Sequence, residues 1–556
     1  MSRLTLRGLA AILFLCLSVP AAAQVDGVLQ IDDGLHRFLV RQQLAGRLDW
    51  AHLTHQPLSA GDAQAYLDSL VQYRSQLSWT DKSLLERYRR EVPGPGAEWV
   101  ADRVPRVYRN GHDLIGASSD DWSVSVNPIF VGAMGVGKRT AGEGVDESPR
   151  VSQNTRGTHI AGAIGPYLFF EGRFTENSQR VVEPVTRDGS IPRRGYATLS
   201  GNVYSWMEAT GVVGLRSKYL EARFGRDRYR WGHGLGSPYL SNYAPPIDHV
   251  LLKARFWRVE YVSLFSGYSS TRAPGHARGD QVRRRKYGSS HRLAVHLPGR
   301  LEVSIFETVV FATDSLEVRE RFDLSYANPV IFLRAVERDR GSPDNVLLGA
   351  SAAWRPVNGL RVFVELMLDE FKSDFIGKEW WANKWVWNYG LQFADFPVSG
   401  VTARFEAARI RPFMYSHDDE IDAYVHFGDL LGHPAGPNAW DYTLALDYQA
   451  TDRLRFSANT AVTRRGRNDG AINYGSDPLV DYAAGRLGEF GHKLLQGIRQ
   501  TQILSEAFAS YEVLPTLFVD AAVRYESLDD AEYGLDRWAT PFLQLRWGVP
   551  FPSARW

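Results

Sequence analysis

Cysteine is almost missing from this 556-residue chain; the one present, Cys16, lies near the N-terminus. That excludes disulfides, thiolate zinc sites and a cysteine nucleophile from everything that follows it. An excess of either charge is missing too. The formal net charge is +1, which removes the electrostatic case for nucleic acid as a partner. After the N-terminus there is no run of about 18 apolar residues, so no transmembrane helix is expected. The 14 histidines are scattered, with neither an HExxH pattern nor an EF-type calcium loop among them. Gly132 to Lys138 nearly spells a phosphate loop, but Arg139 stands where Ser or Thr is required. No cofactor and no metal is expected.

What is present starts with an export signal. Arg3 and Arg7 are basic, Leu9 to Val19 is an apolar core, and Ala21, Ala22 and Ala23 are small residues at the cleavage position. Residues 1–23 read as a signal peptide. Residues 24–100 have helical texture. Asp32 and Asp33 can cap a helix carrying Leu35, Phe38 and Leu39, and Ser59 with Asp62 forms a capping box before Ala63, Tyr66, Leu67 and Leu70. A third helix is expected from Thr80 or Asp81. The PGPG at Pro93 to Gly96 ends this region, and 101–121 reads as a linker.

From about Trp122 to the end, residues 122–556, the period changes from 3.6 to 2. Val362, Val364, Leu366 and Leu368 alternate with Arg361, Phe363, Glu365 and Asp369. Val401, Ala403, Phe405 and Ala407 alternate with Thr402, Arg404 and Glu406. Each such segment has one face for an apolar solvent and one that carries charge. Very short turns recur, at Pro298 to Arg300, Pro356 to Gly359, Pro397 to Gly400 and Ala450 to Asp452. Between them lie long polar segments at 227–246, 269–288, 311–344, 371–382, 412–438 and 466–499. Short turns on one side and long loops on the other are the pattern of an outer-membrane barrel. The fold class expected is an all-β transmembrane barrel of about 18 antiparallel strands, with 16 or 20 as neighbouring even counts. The count of 18 needs a tight turn at Gly165-Pro166. A small α-helical domain lies N-terminal to the barrel, on the periplasmic side.

The densest chemistry is FGRDRYRWGHGLGSPYLSNYAPP, Phe224 to Pro246. Leu220, Ala222 and Phe224 face lipid by parity, with Glu221 and Arg223 inward. Beyond them, Arg226, Asp227, Arg228, Arg230, Trp231, His233 and Asn242 read as a lumen-occluding or glycan-facing network, with Arg226 and Asp227 as its ion pair. Trp385, Trp387 and Tyr389 form an interfacial girdle, whereas Trp380 and Trp381 fall in the loop, where indole faces stack on sugars. Arg283 to Lys286 reads either as a solvated charge run or as a contact for anionic glycan. His417 and Asp418 are the best residues a hydrolase could offer, in a loop tip where solvated charge is the default. No catalytic residue is assigned, and the chain is not expected to be an enzyme. If the barrel were a porin or transporter for small anionic or sugar solutes, Arg361, Arg404, Arg453 and Arg455 would line its lumen.

These blocks resemble the capsule assembly Wzi family of outer-membrane proteins. LHRFLVRQQLAGRLD and QPLSAGDAQAYLDSL are similar to that family's helical region, and EARFGRDRYRWGHGLGSPYLSNYAPP to its central signature. Asn328-Pro329, Asp344 to Gly349 and Gly432 to Asn438 resemble later blocks. The resemblance implies a monomeric barrel of a Gram-negative outer membrane with a largely occluded lumen and a periplasmic helical bundle at its base. It implies a lectin-like role, organising capsular or exopolysaccharide at the cell surface. Outer-membrane lipid, lipopolysaccharide and the polysaccharide export machinery are the further partners expected.

Overall fold

Strands of period two have one apolar and one polar face, and closing the sheet leaves no unpaired edge. The computed structural model describes residues 27–31, 33–92, 108, 112–119, 121–141, 145–147, 150–180, 195, 197–270, 285–312, 325–329 and 344–549. The signal peptide, the PGPG segment and Arg283-Arg284 lie outside these residues.

A closed barrel of 18 antiparallel strands forms the body. Its first six strands are β1 Trp122–Val136, β2 Arg150–Ile164, β3 Leu168–Arg180, β4 Val203–Arg216, β5 Leu220–Asp227 and β6 Ile247–Phe256. Next come β7 Val259–Ser269, β8 Arg285–Leu297, β9 Leu301–Ala312, β10 Asn345–Val357, β11 Leu360–Leu368 and β12 Trp385–Ala394. The last six are β13 Val401–Ile410, β14 Ala439–Gln449, β15 Leu454–Arg467, β16 Ile498–Leu514, β17 Leu517–Asp530 and β18 Gly534–Trp547. Closure sets β18 against β1, with Trp547 opposite Phe130. The turn at Gly165 does separate β2 from β3, with Ile164 opposite Leu168. Loop length is segregated between the two ends as expected, except that β17 and β18 are joined at the long-loop end by a short turn.

Outward positions such as Val213, Leu215, Leu220, Phe224, Val250 and Leu252 are exposed and apolar, while inward Glu221, Arg223 and Lys253 are buried. Exposed apolar surface of this extent fits lipid, and the polar face fits a lumen. Among the described residues no helix is long and apolar enough to cross a membrane.

Three helices precede the barrel: α1 Gly34–Leu44, α2 Ala60–Val71 and α3 Trp79–Glu91. Asp33 caps α1 by accepting from Leu35 N at 2.7 Å, and Ser59 caps α2. The third helix starts earlier than Thr80, because Ser78 accepts from Asp81 N at 3.1 Å and so satisfies a free backbone donor. Leu35, Phe38, Leu39, Leu67, Leu84 and Tyr88 belong to one small apolar core. Ion pairs then tie each helix to the barrel's short-turn end: Arg41 to Asp395 at 2.9 Å, Asp62 to Lys253 at 2.8 Å and Arg87 to Glu512 at 2.8 Å. From the opposite end, segments 229–246 and 411–438 fold inward. Tyr229, Trp231, Tyr239 and Leu240 share one buried apolar cluster with Met414, Tyr415, Tyr424 and Leu431.

Candidate functional site

The segment after β5 enters the lumen. Its Arg230–Trp231 pairs as a short antiparallel strand with His55–Gln56, just ahead of α2, and Gly232 N donates to Thr54 O at 2.8 Å. The loop from one end therefore meets the N-terminal segment from the other. Two lumen carboxylates hold the turn that follows: Glu365 accepts from His233 N at 2.6 Å and Glu406 from Leu235 N at 2.9 Å. Gly234 N also donates to Glu365, so the consecutive N–H groups of His233 and Gly234 converge on one carboxylate as a nest, here occupied by the protein's own side chain. Asn388 Nδ2 steadies Glu365 at 3.0 Å, and Arg404 Nη1 donates to His233 O at 3.2 Å. Gly232 has a φ of +120°, and a Cβ there would collide with the Glu365 carboxylate and the Ser237 hydroxyl. The glycines of WGHGLG thus allow the backbone to lie against the lumen wall.

Tyrosines lock the second inward segment onto the first. Tyr424 OH donates to Tyr239 O at 2.6 Å, Tyr415 OH to Pro238 O at 3.2 Å, and Tyr239 OH to Ala350 O on the wall at 2.5 Å. Deeper in, Thr54 Oγ1 donates to Glu302 at 2.9 Å and accepts from Arg292 at 2.7 Å. The Asp62 carboxyl is buried, which alone would raise its pKa, but Lys253 and Arg255 hold it well below the ordinary carboxylate value. His52 is pushed down to about 3, first by burial and then by His296, whose ring centroid is 4.4 Å away.

Arg230, Trp231, His233 and Asn242 are all buried, so they build the interior rather than a ligand-accessible face. Arg228 spans Glu208 and Ala244 O, the latter at 2.6 Å. The expected Arg226–Asp227 pair does not form. Arg226 is on the outward face of β5 and pairs with Asp248 of β6 at 2.6 and 2.8 Å, its cross-strand partner, while Asp227 accepts from Arg228 N at 2.8 Å. Successive strand residues point to opposite faces, so Arg226 and Asp227 cannot share one. Lys286 corrects a second expectation: it is not in a solvated charge run but buried in β8, donating to Ala423 O at 2.6 Å. Arg453 is a third, exposed in the turn before β15 and so beyond the reach of strand parity. Arg361, Arg404 and Arg455 do point inward, but each is held by protein partners: Gln43 and Gln392, Glu406, and Asp447.

The long-loop end carries a second cluster. Trp380 and Trp381 both donate their indole N–H to Glu489, at 3.2 and 2.8 Å. Trp381 is buried against Tyr482, with ring centroids 4.5 Å apart, and the Arg486 guanidinium lies 3.9 Å over it. Trp380 is the more open of the two and packs on Phe375 at 4.8 Å. Beside them, Asp418, Asp419, Glu420, Leu479 and Asp481 line an open cleft of about 420 Å³. His417 is buried rather than solvated, its Nδ1 paired with exposed Asp418, and the neighbouring Ser416 hydroxyl is committed to Phe413 O at 2.6 Å. Among the described residues no three His, Cys, Asp or Glu side chains form a group able to hold a metal ion.

The profile of the capsule assembly protein Wzi family matches residues 165–535, from the second barrel turn through the start of β18. The chain belongs to that family. Wzi itself, from Escherichia coli, is described as an outer-membrane protein involved in group 1 capsule assembly and a carbohydrate-binding β-barrel. It is 12% identical, with 95% of this chain and 100% of that one covered and a TM-score of 0.57. At that identity the likeness is one of fold. The Pseudomonas aeruginosa proteins OpdL and OprD are 10% identical with TM-scores of 0.41 and 0.39, covering 76% of this chain and 98% and 94% of their own. No curated protein sequence matches. The protein is an outer-membrane β-barrel of the Wzi family, with its helical segment set against the short-turn end.

Glu365, Glu406, Asn388, Tyr415 and Tyr424 were not singled out in the sequence, yet they anchor this Wzi-family lumen. For the two glutamates a signal existed, since both occupy inward positions on strands whose outward face is apolar. The tyrosines carried none, because nothing local distinguishes an inward-folded loop from a solvated one.

Proposed function

We propose that this Wzi-family barrel is a lectin-like protein that holds capsular or exopolysaccharide non-covalently at the cell surface, without catalysis. The observation that carries the reading is the filled lumen, in which Arg230–Trp231 pairs with His55–Gln56 from the opposite end. A barrel blocked at its middle by paired backbone and a buried apolar cluster is built to display a surface. The surface it displays combines the half-buried indole of Trp380 with the carboxylate-lined cleft of Asp418, Asp419 and Asp481. Aromatic faces and carboxylates are the groups that meet sugar C–H faces and hydroxyls. Repeated weak contacts along a polymer add up through effective concentration.

In this reading residues 1–23 are removed on export, 24–100 lie at the periplasmic mouth, 101–121 join them to the barrel of 122–556, and the protein acts as a monomer. A periplasmic partner would be the polysaccharide export machinery. The test is a gene deletion with complementation. Total polymer stays constant, while the cell-bound share falls in the deletion and returns with the wild-type gene. Equal cell-bound polymer in deletion and parent strains would sink the proposal.

A further inference from the structure

β15 ends in Arg464-Arg465-Gly466-Arg467. Parity sends Arg465 and Arg467 inward, where Arg465 donates to Ala435 O and Arg467 to Asp530 at 2.8 and 2.9 Å. Arg464 points outward and is exposed. Its neighbours across the sheet are fixed by register. Trp387 of β12 lies opposite Arg409 of β13, Arg409 opposite Trp440 of β14, and Trp440 opposite Arg464. The row thus alternates indole and guanidinium over four adjacent strands, and Arg409 sits 5.1 Å from the Trp440 ring centroid. Gly466, opposite outward Arg499 of β16, leaves no side chain between Arg464 and Arg499. Diagonal neighbours of this kind are about 7–8 Å apart, a span one phosphate can bridge.

Height places this row at the edge of the bilayer. Below it on the same face come Tyr389, Ala407, Tyr442 and Val462, then Leu391, Phe405 and Leu444, and finally Tyr448 beside Phe456 near the short turns. Val401 to Arg409 rises roughly 20 Å at about 3.4 Å per residue and a tilt of about 40°. That nearly fills the apolar band of about 25 Å, so the guanidinium groups stand at the outer-leaflet headgroups. Among the described residues no acidic side chain forms an ion pair with Arg409, Arg464 or Arg499; the nearest carboxylate by register is Asp529, opposite Thr501 and diagonal to Arg499, while none flanks Arg409 or Arg464. The outward rim arginine on another side of the barrel, Arg226, is instead neutralised by Asp248.

We propose that Arg409, Trp440, Arg464 and Arg499 form a binding site for a phosphate-bearing glycolipid of the outer leaflet. The guanidinium groups take the phosphate through charge-assisted, forked hydrogen bonds. The tyrosines and leucines below take the acyl chains, and Trp440 holds Arg409 in place. The site lies on the lipid face, separate from the glycan-facing loops, so it stands or falls independently of the polysaccharide reading.

The test uses the full-length barrel in detergent and native mass spectrometry with bisphosphoryl lipid A, with the same lipid stripped of both phosphates, and with inorganic phosphate or polygalacturonate as competitor. Wild type retains bisphosphoryl lipid A saturably. Each of Arg409→Gln, Arg464→Gln and Arg499→Gln weakens retention about fivefold, and the triple variant on the order of 100-fold. Stripped lipid binds wild type as weakly as intact lipid binds the triple variant. Heat-modifiable gel migration confirms that the variants fold. Equal retention of both lipids, unchanged retention by the triple variant, or displacement by inorganic phosphate or polygalacturonate alone would overturn the assignment.

Discussion

At Gly232 the chain needs both a left-handed φ and room for the Glu365 carboxylate, and only glycine supplies the two together. Gly232→Val should cost about 3 kcal/mol through strain and collision, read as a lower temperature for loss of heat-modifiable migration. His52 makes the second residue-scale prediction. Its folded pKa is depressed, to about 3, from the usual 6.5. Between those values the unfolded chain binds the extra proton, so the stability that neutral His52 allows is present above pH 6.5 and lost as pH falls toward 3. The slope is at most about 1.4 kcal/mol per pH unit. Replacing His52 with Asn should make urea-unfolding midpoints less sensitive to a change from pH 6.5 to 4.5. An identical pH response in the variant would refute the assignment to His52.

The N-terminal segment is the element whose position decides what the lumen can do. Asp62 of α2 holds both Lys253 and Arg255, and removing it leaves buried cations with fewer partners. Asp62→Ala should loosen docking by roughly 3 kcal/mol, seen as faster proteolysis within residues 27–92 while the barrel stays intact. Its depressed pKa has a consequence of the same sign as that of His52 in a more acidic window: the Asp62 contribution is fully present above the ordinary carboxylate value and is lost as pH falls below that value and through the depressed one. Elements differed in how readable they were. Leu220, Ala222 and Phe224 against Glu221 and Arg223 declared their faces through alternation, because lipid and lumen impose opposite polarity on a period of two. Ser59 with Asp62 declared a helix start, because capping is local. The fate of Tyr229 to Pro246 was not local. Its glycines and aromatics suited either a solvated loop or a folded-in one, and the choice rests on Glu365, Glu406 and Tyr424, far away in the chain. The Arg226–Asp227 pairing failed for a plainer reason: adjacent strand residues face apart.

For the whole molecule, a lumen met from both ends should not conduct. Purified protein in planar bilayers should give no steady open channel, and deletion of residues 229–246 should create one if the barrel survives. Stable single-channel conductance by the wild type would contradict the sealed interior. The central claim, that the sealed barrel is a polymer-holding surface, is tested most directly by co-sedimentation of purified protein with its own cell's surface polysaccharide. The prediction is saturable retention that falls severalfold in Trp380→Ala and in Asp418→Asn with Asp481→Asn, since multivalent attachment magnifies each weakened contact. No retention by the wild type, or retention unchanged in all these variants, would contradict it.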